Sequence, residues 1–307
     1  MDAEERPRGS LVNPGDASAP NESATELAIP KLAELVEEIA ELRPLPAVAT
    51  SILRLTEHDR FSAHELASAI TADQALTAKL LRLANSAYYG FPREIGTVRD
   101  AVVLLGFRTV RATTLASCVI GTLSEANHLD YESFWHFSVS TGMLAEMLAR
   151  TEGVHQDSAF TAGVLHNVGL LALDQQRPEL LGASLERARD EKTTLREAQR
   201  ALLGFTDGEL GGAVASRWQF PPELVAAIRD HARPLDELPD RRSLTAFVLR
   251  ARLLVRSHGV SDGIDHPERA ELPEEWTAPP LSVTLKRSGG MDGVLEKVDA
   301  FLDSTVG

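Results

Sequence analysis

The chain has 307 residues, 43% hydrophobic and 25% charged, the composition of a soluble globular protein with room for one large domain or two modest ones. A formal net charge of -14 argues against nucleic acid and against an anionic membrane surface, because both draw on Lys and Arg. One cysteine, Cys118 in TLASCVIG, excludes an internal disulfide, and no apolar run approaches the length of a membrane span; with a charged N-terminus, a cytoplasmic setting is expected.

Residues 1–24 are rich in Pro, Gly, Ser, Asn and acids and read as a disordered tail. From Thr25 the pattern is almost wholly helical. Leu32, Leu35, Val36 and Ile39 stand at helical spacing, and a second helix, LPAVATSILRLTEH, follows the Pro44-Leu45-Pro46 break. Ser62 and Glu65 form a capping-box pattern. Asp73 is the expected N-cap of a helix running to Gly90, and Thr97 opens another that breaks near Gly106. RTVRATTLASCVIGTL runs to about Leu123, and DYESFWHFSVSTGMLAEMLART ends before Gly153. SAFTAGVLHNVGLLALDQQ reads as one helix. Helices are then expected at PELLGASLERARDE, LREAQRALLG, FTDGELGGAVASRWQF (capping box Thr206 and Glu209), PPELVAAIRDHA and SLTAFVLRARLLVRSHG. Residues 259–289 read as loop, with LSVTLK the sole candidate strand, and MDGVLEKVDAFLDS as a last helix. The expected fold is all-α, with a helical domain over 25–258 and a loop-plus-helix tail over 259–307.

Three blocks carry a resemblance. The first joins the LPAVA entry to DQALTAKLLRLANSAYYG and IGTVRDAVVLLGFRTVR. The second is FWHFSVSTGMLAEMLAR; the third is AFTAGVLHNVGLLAL with the later GELGGAVASRWQFPPELVAAIRDHA. Together, over about residues 43–258, they resemble the HDOD domain, the HD-related output domain of bacterial signalling proteins. The resemblance implies an N-terminal part to about residue 125 and an HD-like part from about 126. It also implies a regulatory module, usually without catalysis, whose site corresponds to that of metal-dependent HD phosphohydrolases.

Compared with that pattern, the metal set is incomplete. His166 keeps the first position of the His-Asp pair, but Asn167 replaces the aspartate and offers a neutral carbonyl where a hard cation prefers carboxylate. Phe137 stands at the histidine position of the FW-x-H-S pattern; His136 lies about 100° away around the helix and reads as a partly buried or surface imidazole. Asp207 stands where a histidine is common and suits a first helical turn; His231 matches the terminal histidine and suits a helix C-terminus. No metal and no cofactor are therefore expected. His166 shares its face with Ala162 and Gly163, so a helix should approach closely there.

Two further groups stand out. Lys79, Arg82, Arg93, Arg99, Arg108 and Arg111 face only Glu94 and Asp100 between positions 79 and 111, a basic run in an acidic chain. It suits either salt bridges to acidic helices or an anionic ligand or partner. Asn85, Ser86, Tyr88 and Tyr89 suit either packing between the two parts or a ligand pocket. The expectation is a non-catalytic regulatory protein that binds a protein partner or a small effector, with Arg82, Asn85, Arg99, Arg108, Arg111, His166, Asn167 and His231 as candidate contacts. Two alternatives stay open. One is a sensor of a nucleotide messenger, a cyclic dinucleotide or guanosine polyphosphate. The other is a metal-dependent phosphohydrolase using His166, His231 and Asp207 or His136.

Overall fold

The structure is a computed structural model that describes residues 28–42, 44–55, 62–86, 89–123, 127–156, 158–264 and 280–305. The expected N-terminal tail, Tyr88 and the central part of the expected 259–289 loop lie outside the described residues. The helices are α1 (Leu32–Leu42), α2 (Ala47–Leu55), α3 (Ala63–Thr71), α4 (Gln74–Ala84), α5 (Val98–Leu105), α6 (Phe107–Thr122), α7 (Tyr131–Glu152), α8 (Ala159–Leu165), α9 (Val168–Gln176), α10 (Pro178–Glu191), α11 (Leu195–Leu203), α12 (Asp207–Arg217), α13 (Pro222–Asp230), α14 (Leu244–Ser257), α15 (Leu281–Arg287) and α16 (Gly290–Thr305). No strand occurs among the described residues, and the fold is all-α, as the periodicity predicts.

Cap chemistry sets most boundaries. The capping boxes at Ser62/Glu65 and Thr206/Glu209 form, with a third at Thr194/Glu197, so each first turn has orphan N–H groups satisfied by side chains. Asp73, Thr97 and Ser243 cap their helices through one side-chain oxygen each. Gly106 ends α5 at a φ of 87°, and α5 and α6 diverge there by 119°. No single helix among the described residues is long and apolar enough to cross a membrane.

Three expectations need correction. The stretch expected as one helix around His166 is two, α8 and α9, because Asn167 leaves helical geometry at φ -95°, ψ 10° and its carbonyl starts the next helix. Helix α4 ends at Ala84 rather than running to Gly90: Asn85 caps it and turns its side chain to the backbone of Ile95. LSVTLK is helix α15, not a strand. Its buried Leu281 and half-buried Leu285 share the face laid on α7 and α16, while Val283 points to solvent.

Helix α7 is the central post, packed against α8, α14, α15 and α16. Phe134, Trp135 and Phe137 are buried along it. Glycine allows the closest crossings. A Cβ on Gly163 of α8 would collide with the backbone of Gly142 on α7. A Cβ on Gly169 of α9 would collide with the backbone of Asp207 and Gly211 on α12. These near-contacts between backbones seat α8 on α7 and α9 on α12. Helix α1 lies on α12. Glu38 holds Arg177 with two hydrogen bonds of 2.9 and 2.6 Å, and Glu37 pairs with Arg217 at 3.2 Å. The buried carboxylate of Asp174 accepts from the backbone N–H of Asn127 at 2.6 Å and of His128 at 2.9 Å, which fixes the turn into α7. One continuous apolar core runs through all these helices, and Cys118 is a small member of it.

Candidate functional site

The break between α8 and α9 places His166 and Asn167 at the centre of the second part of the chain, 0% and 2% exposed. His231 follows the last turn of α13 and is 1% exposed; the two imidazole centroids are 5.1 Å apart, edge to face. Each ring is fixed by its own helix end. His166 Nδ1–H donates to Gly163 O at 2.5 Å, and His231 Nδ1–H donates to Ile228 O at 2.7 Å. Both Nε2 atoms therefore carry lone pairs. His166 Nε2 has no hydrogen-bond partner, nor has the amide nitrogen of Asn167. His231 Nε2 faces Asp207 Oδ2 at 3.8 Å. Asp207 is the first residue of α12, and its backbone N–H donates to Gln199.

Phe137 packs on His166 with ring centroids 5.7 Å apart. Arg256, on α14, lies 5.7 Å from the centroid of the same phenyl ring, within cation–π range. Its guanidinium hydrogen-bonds Asp262, which a loop brings back to the site. That loop is fastened where Asp130 N–H donates to Gly263 O at 2.9 Å.

A cavity of about 610 Å³ opens beside these groups. Asn167, His231 and Asp207 form its inner wall, and Arg196, Arg252 and Arg256 line it from α11 and α14. Arg200 and three acids, Glu197, Asp207 and Asp262, complete its charged lining. Burial, reinforced by His231 and Arg252, pushes His166 well below the ordinary histidine range. Burial, then Arg252, lowers His231 to about 3. Both rings are neutral at physiological pH. Burial raises the Asp207 carboxyl, and Arg252 acts against that rise. Among the described residues, no group of three or more His, Cys, Asp or Glu side chains is arranged to hold a metal ion.

The candidate contacts named from sequence therefore divide. His166, Asn167 and His231 come together. Asn85 does not join them: its amide donates to Leu81 O and Ile95 O and accepts from Ile95 N, so it clamps a loop. Arg82 and Arg99 are exposed on α4 and α5. Arg111 is half-buried on α6, and Arg108 lines a separate cavity of about 370 Å³ whose wall includes Phe301 of α16. His136 points to α16, with Nε2 3.1 Å from Asp299 Oδ1. The sequence reading missed Arg196, Arg252, Arg256 and Asp262. Arg252 and Arg256 stand four apart in RARLLVRS, a spacing that puts both on one helix face. Which way that face points is a tertiary fact.

A family model for the HDOD domain matches residues 42–234. The chain belongs to the HDOD family. At family level this gives it a regulatory role. Among solved structures, an HDOD domain protein of unknown function from Geobacter sulfurreducens is 25% identical with a TM-score of 0.68, covering 89% of this chain and 94% of that one. A Shewanella amazonensis protein, provisionally named a phosphohydrolase, is 26% identical with a TM-score of 0.65, covering 89% and 96%. A curated but uncharacterized protein from Treponema pallidum is 24% identical over 226 residues, 73% of this chain. The match spans only 44% of that longer relative.

Proposed function

We propose that this HDOD chain is a non-catalytic regulatory module of signal transduction that acts by binding, and that its pocket no longer performs metal-dependent hydrolysis. The observation that carries this reading is the exchange of charge around His166. Where an HD hydrolase would bring ligands to a cation, this chain sets the Phe137 ring, the neutral amide of Asn167 and the guanidinium of Arg256. Two imidazole lone pairs and the Asp207 carboxylate remain, with Asp262 taken up by Arg256 and with Arg252 near enough to disfavour imidazolium at both rings. A divalent ion would meet repulsion there and gain no charged donor from position 167, so the donor set fits such an ion poorly. The phosphohydrolase name of the Shewanella relative is the specific reason to test hydrolysis directly. Purified full-length chain with Mn²⁺, assayed on bis(p-nitrophenyl) phosphate and on cyclic dinucleotides, should give no turnover above a metal-only blank. Turnover lost in His166→Gln would overturn the reading.

A further inference from the structure

We infer that the cavity between α9, α11, α13 and α14 binds a neutral small molecule by an amide edge, a carbonyl beside an N–H. Asn167 donates to the carbonyl, and His231 accepts from the N–H. The inference rests on the non-catalytic reading above and gives it a ligand class.

The lining of the cavity is balanced in charge. Arg196, Arg200, Arg252 and Arg256 stand there with Glu197, Asp207 and Asp262. Asp262 holds Arg256, and Glu209 holds Arg200 at 2.7 Å. With Glu209 counted, four acids match four arginines, and no surplus of either sign is left to draw in an ion. A cation is further disfavoured at the inner wall, where burial and Arg252 keep His231 neutral. Leu170, Leu195, Leu253 and Ile264 add apolar surface, and a volume of about 610 Å³ suits a small organic molecule.

The hydrogen-bonding pattern of the inner wall is an independent observation. Asn167 lines the cavity, is 2% exposed, and its amide nitrogen has no partner. A buried donor without an acceptor is costly, and a ligand carbonyl would satisfy it. His231 lines the same wall and is 1% exposed. Its Nδ1–H is taken by Ile228 O at 2.7 Å, so its Nε2 is an acceptor. Nε2 lies 3.8 Å from Asp207 Oδ2, too far for a hydrogen bond, and an ionised carboxylate also only accepts. An N–H placed between the two acceptors would satisfy both. A donor and an acceptor pair on one wall complement the edge of a carboxamide, a lactam or a nucleobase. A phosphate is acceptor throughout and would set its oxygens against the His231 lone pair.

The test is a thermal-shift titration of the full-length chain without divalent metal. Probes are uridine, inosine and nicotinamide, each beside a form methylated throughout on its amide nitrogen, which keeps the carbonyl and lacks the N–H. A saturable rise in Tm is expected with at least one probe and not with its methylated form. A response to the nucleosides alone assigns a nucleobase edge, and one to nicotinamide a free carboxamide. Asn167→Asp removes the donor, and Asp207→Asn supplies His231 with an internal one. Each should weaken the responding probe roughly tenfold, while Arg82→Gln leaves it unchanged. Should either cavity variant fold poorly, the methylated pairs still decide. No rise with any probe at millimolar concentration overturns the inference. So does an equal rise with the methylated forms, or one that both cavity variants leave intact. Hydrolysis, assayed with Mn²⁺ as above, tests the non-catalytic reading separately: turnover would sink that reading and leave binding by the metal-free chain to these titrations.

Discussion

At the scale of single residues, the site is defined by protonation as much as by position. His166 and His231 are neutral in the folded chain because burial and nearby cations disfavour imidazolium. In the unfolded chain they titrate near 6.5. Below that pH the unfolded state binds more protons, so the stability these groups contribute is present at neutral pH and is lost as pH falls. Each accounts for up to ~1.4 kcal/mol per pH unit, for His231 over the window from 6.5 down towards its folded value of about 3. Asp207 acts the other way. Burial raises its folded pKa above 3.8, so just above that value the folded state holds more protons and stability falls as pH rises. Two imidazoles oppose one carboxyl, and denaturant midpoints should fall between pH 7 and pH 5, with a shallower fall in His231→Gln. An unchanged slope in that variant would contradict the assignment. The identities of His166, Asn167 and His231 were legible in the sequence because motif spacing carries them. Their electrostatic surroundings were not, since Arg252 and Arg256 enter from a helix some 90 residues further along the chain from His166.

At the scale of elements, the sequence predicts helices where caps and apolar spacing agree and errs where tertiary contacts decide. Thr206 and Glu209 announce the start of α12 without help from the rest of the chain. Nothing local announces that α8 and α9 separate at Asn167, because the sequence on either side is apolar and helix-competent. The break pays off in packing: it lets Gly169 of α9 meet Gly211 of α12 backbone to backbone. A Cβ at Gly169 would strike backbone atoms on α12, which cannot move aside as a flexible side chain could. Gly169→Ala should therefore destabilise the fold by about 2–3 kcal/mol, read as a lower urea midpoint, despite the better helix propensity of alanine. Neutral or raised stability would mean that α9 and α12 are not this close. LSVTLK, read as part of a loop and as the sole candidate strand, is a helix for a related reason. Alternation over six residues cannot be told from a short amphipathic helix until the surface it covers, here α7 and α16, is known.

At the scale of the whole molecule, one apolar core joins the first bundle to the HD-like part, and α16 returns from the chain end to pack on α4 and α7. Phe301 of α16 meets Phe160 of α8 with centroids 5.6 Å apart. Phe301 is only 1% exposed, which makes α16 part of the fold, so Phe301→Ala should cost about 3–5 kcal/mol and appear as a single cooperative loss of stability. A separate early transition, with the rest of the melt unchanged, would show that α16 docks on an independent body. The basic run from Lys79 to Arg111, prominent in the sequence, is spread by the fold over α4, α5, α6 and their connections, away from the His166 cavity. If the His166 cavity is no metal site, as proposed above, titration calorimetry of the chain with Mn²⁺ should give no saturable heat at micromolar metal. One equivalent bound at micromolar affinity or tighter, and lost in His166→Gln, would contradict it.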